Sequence, residues 1–183
     1  PPDHMTRFKT WLKAEEEAAP GRKHPLILVA AEGGGIRAAY WTASVLGAIE
    51  ERHPGFGRHV FAISGVSGGS LGAAVFAALL AERPRDGMLD CRDPEDGRRK
   101  SLSLKRCAQA MLAHDFLGPV AGAMLYTDLA QRFLPYPFEK LDRGRAIEQA
   151  WEAAWRETVG NDRLAGDYRT LWRDPDARVP SLL

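Results

Sequence analysis

The sequence predicts an α/β fold with a mainly parallel central sheet. Residues 25–31 and 60–63 are short apolar runs, and each is followed by a glycine-rich turn and then by a helical pattern. Strands that alternate with helices in this way form parallel sheets that the helices cover. The chain has 183 residues, of which 45% are hydrophobic and 27% are charged, and these values are typical of one soluble globular domain.

The composition argues against several classes of function. The formal net charge is +1, and arginine and lysine form no stripe with interleaved aromatic residues, so nucleic acid is not an expected partner. Cys91 and Cys107 leave a disulfide open, but neither has a neighbour at zinc-ligand spacing, and we expect no metal and no other cofactor. Residues 1–20 lack the apolar core of a signal peptide, which favours a cytoplasmic or peripheral membrane location.

The first two predicted elements precede the glycine-rich motifs. Residues 4–18 carry apolar side chains at helical spacing and predict an amphipathic helix that ends before Pro20. We expect this helix to dock on the domain rather than lie on a membrane, because basic residues do not dominate its polar face. Residues 25–31 include four consecutive aliphatic side chains and predict a central strand that is buried on both faces.

A glycine-rich loop of sequence Glu-Gly-Gly-Gly-Ile-Arg follows at residues 32–37. Gly33, Gly34 and Gly35 place bare backbone N–H groups at the start of a helix, an arrangement that suits a bound phosphate or a transient oxyanion. The looser dinucleotide-binding pattern is met, with Ala38 in its last position, but the Gly-Lys-Ser/Thr of a phosphate loop is missing. The helix itself is expected to lie on the sheet through an apolar stripe formed by Ile36, Tyr40, Ala43, Leu46 and Ile49.

The second turn carries the strongest candidate for chemistry. Its sequence, Gly65, Val66, Ser67, Gly68 and Gly69, fits the G-x-S-x-G pattern of a nucleophile elbow, in which a serine lies on a strained turn between a strand and a helix. Ser67 is therefore the candidate nucleophile, and the glycines make room for so sharp a turn. The surrounding residues 60–81 are uncharged and long enough to suggest a membrane span, but the glycine-rich backbone in their middle argues against one.

An acyl-transfer enzyme would use both turns together, with Ser67 attacking a carbonyl and the earlier glycine loop holding the resulting oxyanion. The paired motifs, Glu-Gly-Gly-Gly-Ile-Arg-Ala and Ser-Gly-Val-Ser-Gly-Gly-Ser-Leu, resemble those of the patatin-like phospholipase family, which is related to the catalytic domain of cytosolic phospholipase A2. The resemblance covers residues 25–82. Two positions depart from the family pattern, Glu32 where aspartate is frequent and Ala38 where glycine is frequent.

The resemblance implies a three-layer α/β/α domain, a lipid ester substrate and a serine that works with an aspartate in a dyad without histidine. It also implies that Gly33, Gly34 and Gly35 form the oxyanion hole. Arg37 matches the basic position of the family's loop, where it would orient the loop or meet a phosphate; an ordinary solvated arginine is the alternative. A peripheral membrane contact is a further expectation.

The second half of the chain carries weaker signals. Residues 83–103 predict a charged surface loop, and its basic end could meet anionic headgroups or simply be solvated. Residues 104–114 predict a helix, and the uncharged residues 116–127 either cover the site and accept an acyl chain or form an ordinary buried helix. The basic end comprises Arg98, Arg99, Lys100, Lys105 and Arg106.

The last third predicts one helix and the start of a strand. Asp142 is the expected N-cap of a helix that ends near Gly160 and carries an i,i+4 pair of Glu152 and Arg156. The helix packs through Ile147, Ala150, Trp151, Ala154 and Trp155. Residues 179–183 predict a further strand.

A serine nucleophile needs a base, and the family's base is the aspartate of an Asp-Gly-Gly or Asp-Gly-Ala motif. Neither Asp86-Gly87 nor Asp96-Gly97 matches it. We therefore expect the dyad aspartate downstream of residue 183, with this chain the N-terminal portion of a larger catalytic domain and inactive alone. A Ser-Asp-His triad would have to use His114 with an acid from Asp86, Asp90, Asp93, Asp96 or a glutamate between them. A non-catalytic binding module or a nucleotide-binding module using the Gly33 to Gly35 loop also stays open.

Overall fold

The computed structural model describes residues 4–84, 87–133, 143–167, 170–171 and 179–183. Eight α-helices and five strands lie within these ranges. The helices are α1 (His4–Ala18), α2 (Gly35–Arg52), α3 (Phe56–His59), α4 (Gly68–Glu82), α5 (Leu104–Leu112), α6 (Leu117–Gly122), α7 (Asp128–Gln131) and α8 (Arg143–Val159). The strands are β1 (Ile27–Ala31), β2 (Val60–Gly65), β3 (Leu89–Arg92), β4 (Arg99–Leu102) and β5 (Ser181–Leu182). A π-helical turn, Ala123–Thr127, joins α6 to α7, and a 3-10 turn, Arg163–Ala165, follows α8.

A parallel sheet of three strands in the order β1, β2, β5 confirms the α/β fold. The prediction that residues 25–31 form a central strand buried on both faces is wrong: among the described strands, β2 occupies the centre and β1 pairs with a neighbour on one side only. Burial also alternates along β1, with Leu28 66% exposed and Ala30 exposed, so one face of this strand is not covered by the described residues. Composition alone cannot distinguish these positions, because an aliphatic run fits either an edge or a central strand.

The hydrophobic core lies between the sheet, α2, α4, α5 and α8. Helix α4 contributes Phe76 and Leu79, and α8 contributes Trp155, all fully buried. The predicted stripe of α2 is only partly correct: Ala43 and Leu46 are buried, whereas Ile36 and Tyr40 are more than a third exposed and Ala39 is buried instead. Helix α2 packs mainly on α4 and α5 and not, as predicted, on the sheet, so its buried face differs from the predicted one.

Helix α1 docks on the domain, as predicted. The rings of Phe8 and Trp11 contact Phe61 of β2, with ring centroids 5.7 and 5.9 Å apart. The Trp11 Nε1–H donates a hydrogen bond of 3.0 Å to the carbonyl oxygen of Arg58. In the described part of the chain, no helix has the length and hydropathy needed to cross a bilayer.

Residues 83–103 form more than the predicted surface loop. Strands β3 and β4 pair as an antiparallel hairpin, and Cys91 forms a disulfide with Cys107 of α5. The side chains of Leu89 and Cys91 point into the core, while the intervening Asp90 is exposed. Most charges of this segment therefore lie on the outer face of a hairpin whose inner face is apolar, whereas Asp93 is buried.

The basic end of this segment is largely neutralised by neighbouring carboxylates. Lys100 Nζ lies 3.1 Å from Asp93 and 2.7 Å from Asp96, and Arg99 and Arg106 form ion pairs of 3.0 and 2.8 Å with Asp90 and Glu95. The Glu95 backbone N–H and the Lys100 ammonium both donate to Asp93 and hold its pKa below the usual value. These ion pairs favour the interpretation that the basic end is simply solvated over the alternative that it contacts anionic headgroups.

Removing the disulfide is expected to lower the free energy of unfolding by about 3 kcal/mol, because the bond closes a loop of 16 residues in the unfolded chain. Urea unfolding of the double variant C91A/C107A, compared with the oxidised chain, measures the loss. Adding a reducing agent should lower the urea midpoint of the oxidised chain and leave the midpoint of the variant unchanged. Coincident transitions of variant and oxidised chain would contradict the expectation.

The C-terminal elements agree with the sequence in outline but not in every contact. Helix α8 ends before Gly160, whose φ of +91° stops it, as predicted. The predicted pair of Glu152 with Arg156 is not formed, because Glu152 binds Arg145 and Arg156 binds Asp162. The predicted strand at residues 179–183 is confirmed as β5, whereas the predicted N-cap Asp142 lies outside the described residues.

Candidate active site

The turn between β2 and α4 has the backbone of a nucleophile elbow. Ser67 has φ +51° and ψ −120° and is the only residue other than glycine with a positive φ in the described ranges. A residue with a Cβ adopts this backbone conformation only at a cost in free energy, and residues strained in this way are concentrated at functional sites. Ser67 is exposed at the N-terminus of α4, in the position that the sequence predicts for the nucleophile.

Three backbone hydrogen bonds hold this turn. The Val66 N–H donates to the Ala31 carbonyl at the end of β1 over 3.0 Å. The Gly69 N–H donates to the Val66 carbonyl over 3.0 Å, and the Leu71 N–H donates to the Ser67 carbonyl over 3.2 Å. The first bond ties the elbow to the neighbouring strand, and the other two begin the helix, so the conformation of Ser67 is set from both sides.

The elbow glycines leave room for close packing, as predicted, although none of the three has a positive φ. A Cβ on Gly68 would lie 1.9 Å from the carbonyl oxygen of Gly35, far inside van der Waals contact. Equivalent atoms on Gly65 and Gly69 would lie 2.6 and 2.4 Å from backbone atoms of Ser70 and Ala31. The elbow and the first glycine loop therefore touch backbone to backbone, and no larger residue fits between them.

The two loops meet because their strands are parallel neighbours. Ala31 and Gly65 are paired in register at the carboxyl ends of β1 and β2, so the two loops that follow these strands leave the sheet side by side. The glycine loop then turns sharply into α2, and its N-cap Gly34 has φ +144°, a conformation reserved for glycine. A Cβ on Gly33 would lie 3.5 Å from the Cβ of Ser67, which places this loop directly beside the candidate nucleophile.

Backbone N–H groups without a partner among the described residues lie on both turns. The N–H groups of Gly33, Gly34 and Gly35 donate no hydrogen bond within the described parts of the chain, and neither does that of Gly68. Gly68 was predicted only as an elbow residue, but as the residue after the nucleophile it is the second standard source of an oxyanion donor. The sequence carried this signal in the G-x-S-x-G motif itself.

Apolar side chains flank the serine. Val66 is 65% exposed, and its Cγ1 lies 3.7 Å from the position of a Cβ on Gly33. Leu71, one helical turn after Ser67, and Ile36, in the first turn of α2, are also exposed. Exposed apolar side chains beside a candidate nucleophile favour contact with an apolar group.

Arg37 lies in the first turn of α2 and is exposed. Its guanidinium makes no ion pair with any side chain in the described residues. The cation is thus available near the glycine loop, where either a solvated role or contact with an anion is compatible with its position.

The alternative Ser-Asp-His triad is not assembled among the residues that the structure describes. The His114 Nε2 lies 3.2 Å from the Thr158 hydroxyl, and its Nδ1 lies 4.0 Å from Glu157, both on α8. Asp90, Asp93 and Asp96 pair with cations of the hairpin, and Asp86 lies outside the described residues. The Ser67 hydroxyl makes no hydrogen bond to any described residue.

Strand β5 brings the end of the described chain to the same edge. The Leu183 N–H donates to the Ile63 carbonyl over 3.0 Å, and the Gly65 N–H donates to the Leu183 carbonyl over 3.2 Å. Because β5 is parallel to β2, its carboxyl end lies beside the elbow.

The described residues contain no group of three or more histidine, cysteine, aspartate or glutamate side chains placed to hold a metal ion. No protein-family model, no curated protein and no solved structure matches the chain. The candidate site therefore stands on its own geometry: an exposed serine in a strained elbow, a glycine loop in backbone contact with it, and unpaired N–H groups on both turns.

Proposed function

We propose that this chain carries the nucleophile and the oxyanion donors of a lipid acyl hydrolase, a serine carboxylic ester hydrolase of the patatin-like phospholipase type. The conformation of Ser67, with φ +51° in a turn packed against a glycine loop, is the observation that carries the proposal. A costly backbone conformation at an exposed serine is hard to explain by folding alone.

The proposed reaction begins with attack of the Ser67 Oγ on the ester carbonyl. The oxygen of the tetrahedral intermediate is then stabilised by the N–H groups of Gly33 to Gly35 and of Gly68. The alcohol leaves with a proton, and water hydrolyses the acyl-enzyme to release the acid and restore the serine. The exposed Val66 and Leu71 favour an apolar acyl chain, which is the basis for proposing a lipid ester.

The base that takes the proton from Ser67 is proposed to be an aspartate downstream of residue 183. The carboxyl end of β5 is bonded to Gly65, so a residue that followed β5 would leave the sheet beside the elbow. A carboxylate there would be within reach of the serine hydroxyl, as a catalytic base must be.

A fluorophosphonate probe tests the proposal directly. We expect slow labelling of Ser67, located by peptide mass spectrometry, and its complete loss in Ser67→Ala. The matched control is Ser64→Ala, because Ser64 is an exposed serine at the end of β2 with ordinary backbone geometry; this variant should keep the label. No labelling of a folded sample would argue against the elbow.

Turnover by the same preparations tests the position of the base. We expect little hydrolysis of p-nitrophenyl butyrate by the chain of 183 residues, because the described residues supply no partner for the Ser67 hydroxyl. Rapid hydrolysis that Ser67→Ala abolishes would keep Ser67 as the nucleophile and refute the downstream base.

A further inference from the structure

The segment from α6 to α7 presents an apolar outer face. Six of its side chains are half or more exposed, including Tyr126 at 76% and Phe133 at 82%. The expectation that residues 116–127 form an ordinary buried helix is wrong for this face. The exposed side chains are Leu117, Met124, Leu125, Tyr126, Leu129 and Phe133.

This segment is already seated on the domain through its other face. The ring of Phe116 is buried and stacks on Trp151 of α8, with centroids 4.6 Å apart. Ala123 is buried too, and the Thr127 hydroxyl is satisfied by donating to the Ala123 carbonyl over 2.7 Å. A surface helix ordinarily keeps polar side chains on the face opposite its core contact, whereas here the opposite face is apolar.

Cations lie at one end of the apolar face. Arg132 and Arg143 line an open recess of about 550 Å³ together with Asp128, Gln131 and Gly144. Arg143 contacts Asp128 at 3.7 Å, and Arg132 is exposed and has no ion pair in the described chain. An apolar face bordered by arginines complements a surface in which acyl chains lie beneath negatively charged headgroups.

The segment starts at the end of the molecule that carries the candidate site. Helices α2 and α5 are antiparallel, because the Lys105 N–H donates to Glu51 near the end of α2 and Gln109 reaches Ser44 further back. The C-terminus of α5 therefore points toward the start of α2, where the glycine loop meets Ser67. Helix α6 begins five positions after α5 ends.

We propose that the apolar face from Leu117 to Phe133, with Arg132 and Arg143, docks on the surface of a bilayer that contains anionic phospholipid. The apolar side chains enter the boundary between headgroups and acyl chains, and the two guanidinium groups pair with lipid phosphates. The assignment of this surface to substrate access rests on the proposed function, but the docking itself does not require turnover.

Sedimentation with vesicles tests the docking. We expect the chain to bind vesicles of phosphatidylcholine and phosphatidylglycerol in equal parts more tightly than vesicles of phosphatidylcholine alone. The variant L125E/L129E should weaken binding at least about tenfold, because it places two charges in the apolar boundary. The variant R132Q/R143Q should bind anionic vesicles about fivefold more weakly for each arginine removed, and its binding to vesicles of phosphatidylcholine alone should be unchanged.

A matched control replaces two exposed apolar residues of another helix. Met5 and Leu12 of α1 are exposed to similar extents, and M5E/L12E should bind as the unchanged chain does. Equal binding by L125E/L129E and the unchanged chain would overturn the proposal, as would an absence of binding to anionic vesicles. The proposal would also be overturned if the unchanged chain formed a dimer and L125E/L129E were a monomer, because a second copy of the chain would then cover this face.

The readouts separate this proposal from the catalytic one. Ser67→Ala should bind vesicles normally although it takes no fluorophosphonate label. Vesicle binding without any labelling of Ser67 would therefore refute the proposed function alone, and labelling without vesicle binding would refute the docking surface alone.

Discussion

Replacing Gly68 by alanine is expected to lower the free energy of unfolding by about 4 kcal/mol or more, among the largest effects of a single substitution. The added methyl group would lie 1.9 Å from the carbonyl oxygen of Gly35, and that oxygen belongs to backbone that cannot rotate away. Relief would require the elbow and the glycine loop to separate, which breaks the packing of α2 on α4. Urea unfolding followed by circular dichroism measures the loss.

Gly122 supplies a matched control for this substitution. It lies in helical backbone, with φ −59° and ψ −47°, and has no atom within 4 Å of the position of a Cβ. Gly122→Ala should therefore raise the free energy of unfolding by about 0.5 to 1 kcal/mol, the usual gain in a helix. A loss below about 1 kcal/mol for Gly68→Ala would mean that the loops are not in contact.

Replacing Glu50 by glutamine is expected to cost about 3 kcal/mol of unfolding free energy. The carboxylate is 1% exposed and accepts three hydrogen bonds, from the N–H groups of Gly55 and Gly57 over 2.9 and 2.5 Å and from Arg83 over 2.5 Å. A glutamine would turn its NH₂ toward at least one of these donors and leave it unsatisfied. The turn between α2 and β2 would lose its anchor.

The neighbouring Glu51 is the control for Glu50. It is exposed and accepts one hydrogen bond of 2.9 Å from the Lys105 N–H, which a glutamine oxygen can also accept. Glu51→Gln should change the free energy of unfolding by less than about 0.5 kcal/mol. Similar effects of the two substitutions, read from the urea midpoint at unchanged slope, would contradict the anchoring role of Glu50.

The sequence predicted the candidate site better than it predicted the environment of each element. Gly34 and Gly35 are required by local sterics, because their positive φ values favour residues that lack a Cβ, whereas Gly68 is required by its close contact with Gly35. The exposure of Leu28 depends instead on whether another element covers that face of β1, and no local pattern carries that information. Ion pairs such as Glu152 with Arg145 are equally hard to foresee, because long side chains on a helix have several partners in reach.

One missed element did carry a signal. Leu89 and Cys91 alternate with charged residues, and a turn follows at residues 94–97, as expected for a half-buried hairpin. Because the segment as a whole is highly charged, this alternation of apolar and charged residues was not recognised as a strand. The uncharged residues 116–127 show the opposite difficulty, because an uncharged run is usual in a core and its sequence does not reveal which face is left exposed.

The backbone contact between Gly35 and Gly68 bears on how the site would meet its substrate. With the two turns touching, the serine and the N–H groups beside it cannot shift independently. A reacting carbonyl would therefore find its donors pre-organised, and little conformational entropy would be lost in aligning them. The close contact that makes Gly68→Ala destabilising would also hold the two turns in place, so the site would not need a closing motion to align its donors.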